Sequence, residues 1–264
     1  MLSKNSAMNI IDTHAHLDLP EFQDDLSEVL QRAAEAGVGR IICVGTTLDS
    51  SRRCVELARR YPDRIYATVG VHPNYCSEPG EDDWERLERL LALPHVVAVG
   101  ETGLDFHHDY ASPQLQEEFF RRHIRLSLSA GKPLIVHARK ADERAIVILE
   151  EEADRIHGVR HCFDSSAQIA AGYLERGLHV GFGAIITRRG HKKLKKAART
   201  VPDERLLVET DCPYMTPQDA ETGRNEPALI RSTTQTLAGL RGTTEEKIAQ
   251  LTTRNAGRLF FARS

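Results

Sequence analysis

The 264-residue sequence predicts a (β/α)8 barrel. Three observations carry the prediction. Eight short runs rich in valine and isoleucine recur along the chain, and segments with helical spacing separate them. Histidines and acids with metal-ligating chemistry fall where those runs end.

The runs, in order, are residues 8–12 ("MNIID"), 40–45, 64–72, 95–101, 133–138, 158–163, 178–183 and 205–210. Most are too apolar for a half-exposed strand and read as parallel strands buried on both faces. Between the first two, Leu26, Val29, Leu30 and Ala33 make an apolar stripe that stops before Gly37. Residues 112–131 open with Ser112-Pro113, a cap and a first-turn proline, and close at Gly131. In "RRGHKKLKKAAR", 188–199, Leu194, Ala197, Ala198 and the following Val201 give a buried side and leave most of the lysines facing solvent. Leu229, Thr233, Leu237 and Leu240 line a late helix, and Thr243 with Glu246 has capping-box spacing for the last one. Repeats, low-complexity tracts and Gly/Ser/Pro linkers are missing, so one domain is expected over residues 1–264. An open doubly wound sheet is the runner-up, but its Gly-rich phosphate loop after the first strand is not there.

Composition bounds the function. Apolar content of 41% and charged content of 28% suit a globular chain with a sizeable core. A net charge of -3 gives no global basic signal for nucleic acid, so any such contact needs a local basic patch. Arg188, Arg189 and His191, just after the seventh run, are one place for it. No apolar run reaches the ~18 residues of a membrane span, and no membrane partner is expected. The start lacks a signal-peptide core; the first residues, up to Met8 as a second candidate start, read as a polar tail. Five scattered cysteines argue against a disulfide framework and for a reducing, cytoplasmic setting. A monomer is the favoured state.

The reactive residues sit at the carboxyl ends of the runs. His14 and His16 follow the first, His72 ends the third, Glu101 the fourth, His137 the fifth and His161 the sixth, and Asp211 follows the eighth. In a barrel that is the face where active sites are built. Imidazole and carboxylate suit zinc, and carboxylate also suits magnesium and manganese. Histidines at i and i+2 of a strand point to one side, so His14 and His16 reach one pocket while Thr13 and Ala15 pack. Four histidines and two carboxylates exceed the three or so protein ligands of one open catalytic metal. The surplus points to two divalent ions with one carboxylate between them, an arrangement that activates water.

The stretches "DTHAHLD", "GVHP", "GETGLD", "VHAR", "HCF", "VETDCPYMTP" and "RNEP", in this order, resemble the TatD family of metal-dependent hydrolases. The resemblance runs from about Ile11 to Phe260. It implies that His14, His16 and Asp211 hold one metal, that Glu101 bridges, and that His137 and His161 hold the second. It also implies that Asp211 takes the proton of the attacking water, with Glu209 in support. TatD-like proteins are associated with metal-dependent, exonucleolytic cleavage of DNA, and some similar proteins with deacylation of D-aminoacyl-tRNA. Three places depart from the family: Phe106, His107 and His108 where tyrosines are common, "HCFDSS" for H-C-F-T-G, and Cys212 before the proline. They touch the expected substrate contacts rather than the metal set.

The substrate-side candidates are His72, Arg139, Glu209, Asn225 and Glu226. His72 either contacts a phosphate or caps a loop. Arg139 either clamps a phosphate or pairs with Asp142 or Glu143. Asn225 and Glu226 either position substrate or serve the next helix start. Asp12 either orients a histidine or ends its strand. His95, His123, His157, His179 and His191 are expected to be structural, and Cys162 and Cys212 to be small buried residues. The expected activity is two-metal hydrolysis of nucleic-acid phosphodiesters. An aminoacyl-ester or amide hydrolase, or a non-catalytic binding protein, are the rivals.

Overall fold

The computed structural model describes residues 9–221 and 223–262. The expected polar tail over residues 1–8, with Met8, lies outside the described residues. Eight parallel strands hydrogen-bond in chain order. They are β1 (Ile10–Ala15), β2 (Val38–Cys43), β3 (Ile65–Val69), β4 (Val96–Asp105), β5 (Leu134–Arg139), β6 (Gly158–Arg160), β7 (Leu178–Phe182) and β8 (Leu206–Val208). The ring closes where Ala15 pairs in parallel with Cys212. The Asp211 N–H donates to the His14 carbonyl at 2.9 Å and the His16 N–H to the Cys212 carbonyl at 2.8 Å. The (β/α)8 barrel is therefore the fold, and the open sheet is not.

The helices around it are α1 (Leu26–Glu35), α2 (Leu48–Arg60), α3 (Asp83–Leu91), α4 (Pro113–Ala130), α5 (Asp142–Glu152), α6 (Ala167–Glu175), α7 (Lys192–Thr200), α8 (Ile230–Arg241) and α9 (Glu245–Phe260). Their boundaries follow from local chemistry. The Ser112 hydroxyl accepts from Leu115 N at 3.3 Å, Pro113 takes the first helical position, and Gly131 ends α4 in the left-handed conformation at φ 62°. Helix α9 departs from expectation: the cap is Thr244, which accepts from Lys247 N, one residue later than the Thr243–Glu246 pattern. Its far end, Ala256, Leu259 and Phe260, packs with Ile11, Val97, Ile135, Val159 and Leu207, each the second residue of its strand. Helix α9 thus covers the amino end of the barrel, which leaves the carboxyl end for chemistry.

Strand β4 runs to Asp105, past the expected end at Glu101, and is buried throughout. Its register against β5 shifts between Val99 and Thr102. Gly100, at φ 129°, lies within this shift, where a Cβ would press on the Ile135 carbonyl. The bulge sits next to Glu101, as such irregularities often do at sites.

His123 on α4 is fully buried and structural, as expected. Its Nε2 accepts from Val71 N at 3.0 Å, and its Nδ1 donates to the Phe119 carbonyl at 2.7 Å. Burial pushes its pKa from 6.5 down to about 4. Between those values the unfolded chain holds the extra proton, so stability is lost as pH falls from about 6.5 to about 4. His123→Gln should flatten the fall in unfolding free energy between pH 7 and pH 4.5 by about 2–3 kcal/mol. Urea unfolding at the two pH values measures it, and equal slopes in both proteins would refute it.

Candidate metal centre

Barrel closure assembles the first half of the site. Strand β1 ends in His14-Ala15-His16, and the backbone bonds to residues 211 and 212 bring the loop after β8 alongside. The Asp12 carboxylate reinforces the seam, accepting from Thr210 N at 3.0 Å and Thr210 Oγ1 at 2.6 Å. It accepts from the His14 backbone N–H as well, at 3.3 Å, so it ties the strand down and does not orient an imidazole. His14 Nε2 and His16 Nε2 lie 3.2 Å apart. Asp211 Oδ1 is 3.4 Å from His16 Nε2 and 3.7 Å from His14 Nε2. Three lone-pair donors from both ends of the chain therefore face one point.

Glu101 stands at the centre of the second half. Its Oε2 lies 3.3 Å from His14 Nε2. Its Oε1 lies 2.7 Å from His161 Nε2, 2.9 Å from His137 Nδ1 and 3.6 Å from His72 Nε2. One carboxylate thus turns one oxygen to each group of imidazoles. His14 stacks on His161 with ring centroids 3.9 Å apart, so the groups are in contact. The sets His14/His16/Asp211, His14/Glu101/His161 and His72/Glu101/His137 each converge closely enough to hold an ion.

The electrostatics show what the pocket demands. Burial alone would raise Glu101, but His161, His72 and His14 outweigh it and hold the carboxylate well below its usual range. Asp211 is likewise lowered: burial opposes ionisation, and His16 overcomes it. Burial opposes the imidazolium forms of His16 and His161, yet Asp211 lifts the first to about 9 and Glu101 the second to about 10. His14 is lowered, by burial and then by His161. Two buried carboxylates thus require positive charge, and in the protein alone protons on His16 and His161 supply it. A divalent cation answers the same demand and releases those protons. The buried ring nitrogens His14 Nδ1 and His137 Nε2 lack hydrogen-bond partners among the described residues. A nitrogen and oxygen donor set of this kind fits a divalent metal.

Comparison with known proteins agrees with this chemistry. A family model described as TatD related DNase matches residues 11–261. The chain belongs to the TatD family. It is 39% identical over 252 residues to the uncharacterized metal-dependent hydrolase YabD of Bacillus subtilis, covering 95% of this chain and 98% of the relative. It is 37% identical over 257 residues to the 3'-5' ssDNA/RNA exonuclease TatD of Citrobacter rodentium, covering 95% and 97%. The crystal structure of YJJV, a TatD homologue from Escherichia coli K12, superposes with a TM-score of 0.91 at 32% identity, covering 97% of this chain and all of that one. The protein is a metal-dependent hydrolase of this family.

Behind the central residues of this TatD-family chain lies a layer that the sequence reading partly missed. Glu209 is completely buried and never reaches the mouth, a correction to its place among the substrate contacts. It accepts from the Cys162 N–H and lies 3.5 Å from His161 Nδ1, where a carboxylate orients the ring. Gly181 makes room for it, since a Cβ there would press on Glu209 Oε2. Asp105 was not singled out, although it ends the "GETGLD" stretch. Its Oδ2 lies 2.9 Å from His108 Nδ1 and 3.6 Å from His137 Nε2. Burial raises Asp105, but the nearby His137 ring and the hydrogen bonds from His108 and two backbone N–H groups hold it far below its usual value.

Arg160 was also missed. It is 1% exposed and lies at the end of β6, immediately before His161. It donates to the carbonyls of His161 and Ala138 and pairs with Asp142 at 3.1 Å and Asp164 at 3.2 Å. It therefore braces the ends of β5 and β6 beneath His137 and His161. Arg160→Ala should cost about 3–5 kcal/mol in urea unfolding, because the largely buried Asp142 loses its counter-charge and the His161 and Ala138 carbonyls lose their donor. A loss under about 1 kcal/mol would show that the brace carries no load.

The remaining candidates separate. His72 is brought to the centre, with Nε2 facing Glu101; its Nδ1 accepts from Asn74 N at 3.1 Å, so it also caps the following turn. Arg139 is exposed at the end of β5 and makes no ion pair with Asp142 or Glu143; Asp142 is taken by Arg160 and by the Tyr173 hydroxyl at 2.9 Å. Asn225 and Glu226 do not project into the cluster. Asn225 is fully buried, and its amide donates to the Thr210 and Tyr214 carbonyls at 2.8 and 2.7 Å, folding the loop after β8. Glu226 forms a bidentate pair with Arg32, 2.7 Å at its shortest. Both are corrections: the partners sit on other elements, which spacing does not reveal. His95, His157, His179 and His191 stand outside the cluster, as expected. One other grouping, Asp18, Cys43 and Cys54, converges away from Glu101, with the two sulfurs 3.3 Å apart. Burial, with Cys43 beside it, keeps the Cys54 thiol well above its usual value, so it packs as a small core residue.

Proposed function

We propose that the chain is one catalytic domain that hydrolyses phosphodiester bonds of nucleic acid, exonucleolytically, with two divalent ions. The observation that carries the two-ion reading is the orientation of Glu101, one oxygen toward His14 and the other toward His161 and His137. His14, His16 and Asp211 would hold one ion, His137 and His161 the other, and Glu101 both. Zinc, magnesium or manganese bound there would lower the pKa of water and stabilise the attacking and leaving oxygens. The protein's own part is positional and basic. Asp211 is ionised, its side chain is 11% exposed at the mouth, and it can accept the proton of the attacking water. Glu209 and Asp105 hold His161 and His137 in place. Arg139 and Arg188, exposed at the carboxyl ends of β5 and β7, are free to meet phosphates. The nucleic-acid reading is supported by the name of the Citrobacter rodentium relative. The five free thiols suit a cytoplasmic setting, and no described helix is long and apolar enough to cross a membrane.

The same metal centre would serve the ester of a D-aminoacyl-tRNA. Purified protein supplied with Mg, Mn or Zn should degrade single-stranded DNA. Cleavage of D-aminoacyl-tRNA with none of DNA would overturn the proposal. Less than one bound metal per chain after metal-supplemented purification would favour a binding protein instead.

A further inference from the structure

Five large apolar or aromatic side chains are strongly exposed among the described residues, and three of them are tyrosines at the mouth of the metal centre. The other two, Leu128 and Val147, lie on the outer helices α4 and α5. Tyr75 follows β3, Tyr110 follows β4 and Tyr214 follows β8, all in loops of the carboxyl face. Two of the rings sit beside a histidine of the site, and the third beside His108. Tyr214 meets His16 edge-on at 5.7 Å, and Tyr75 lies 6.0 Å from His72. Tyr110 stacks on His108 at 5.4 Å and 21°, and His108 is pinned through Asp105. The rings remain 39%, 65% and 52% exposed for Tyr75, Tyr110 and Tyr214. Tyr214 is raised to about 12, first by partial burial and then by Tyr75 and Asp211, so the rings and the acids share one mouth. Cations share this end of the barrel: Arg139, at the end of β5, and the next residue, Lys140, are exposed, and both are near enough to His107 to lower it.

Resting on the phosphodiesterase reading above, we infer that Tyr75, Tyr110 and Tyr214 form a stacking rim for unpaired nucleobases, with Arg139 and Lys140 taking backbone phosphates of the same strand. Flat faces with cations on the same face suit the bases and phosphates of a nucleotide strand. A duplex keeps its base faces stacked inside and cannot offer them to the rings. The rim therefore makes the centre selective for single strands, and it holds the terminal bases while the scissile phosphate lies over Glu101 and Asp211. A peptide or a small phosphodiester would leave the rings uncovered.

The test uses the metal-loaded full chain and two oligonucleotides of equal length. One is an oligothymidylate, and the other carries abasic tetrahydrofuran sites in place of the bases. Wild type should show a lower KM for the thymidine strand. Tyr110→Ala and Tyr214→Ala should each raise that KM about ten-fold, with kcat within about two-fold. The preference for the thymidine strand should fall toward one, and the phenylalanine variants should restore it. Alanine variants with the wild-type KM, or with the same loss on both strands, overturn the rim and leave the phosphodiesterase reading standing. If wild type cleaves neither strand, that reading is what fails. Fluorescence anisotropy of the same two strands then decides the rim: equal affinity of wild type and the alanine variants for the thymidine strand overturns it.

Discussion

Asp211→Asn is expected to lower kcat on single-stranded DNA by at least about a thousand-fold while leaving the fold intact. A general base supplies about 10²–10⁴ of rate, and this side chain is also a proposed ligand. The fold should survive because asparagine keeps the shape, and the Asp211 N–H to His14 carbonyl bond belongs to the backbone. His16 is the group that feels the change. Burial disfavours its charged form, and Asp211 is the main partner that overrides burial. Without that charge the pKa of His16 falls, and Glu101 remains as the counter-charge for whatever imidazolium persists. Steady-state kinetics with a thermal unfolding scan make the measurement. Activity within ten-fold of wild type would remove Asp211 from its role as base.

Glu101→Ala is expected to lose at least one bound metal per chain, with activity falling by a similar or larger factor than for Asp211→Asn. Glu101 is the only carboxylate in contact with His14, His161, His137 and His72 together among the described residues. Removing it leaves His72, His137 and His161 without the carboxylate that stands among them, and leaves Asp211 alone to face His14 and His16. Glu101→Gln keeps the volume and removes only the charge, so it separates metal loss from collapse of the pocket. Elemental analysis after metal-supplemented purification gives the stoichiometry. Unchanged metal content in both variants would refute the bridge.

Much of this centre was legible before any fold was known, for local reasons. The His-Ala-His alternation says that two imidazoles share a face, because the pleat repeats every two residues. Glu101, His137 and His161 announce themselves by ending apolar runs, since a parallel barrel exposes those ends on one face. Ser112 and Gly131 mark α4 because capping is settled by a few neighbouring backbone groups. Where the partner lies elsewhere, the same reasoning stops. Asn225 looks like a substrate contact until its amide is found on the Thr210 carbonyl, and Glu226 until it is found on Arg32. Arg160 reads as an ordinary charge at a strand end, yet it is buried under the site because the ends of β5 and β6 bring carbonyls and Asp142 around it.

The sequence by itself determined the barrel, the end of it that carries chemistry, and the residue types that meet there. These follow from periodicity and from the chemistry of single side chains, which need no long-range information. That His16 and Asp211 meet was implied by the family resemblance, but only the tertiary structure brings these residues, 195 apart in the chain, to 3.4 Å. It also decided that Glu101 turns its two oxygens to opposite groups of histidines, and that three tyrosines from three loops surround one mouth. Such distances are set by closing the ring at Ala15 and Cys212, where backbone hydrogen bonds hold one end of the chain against the other.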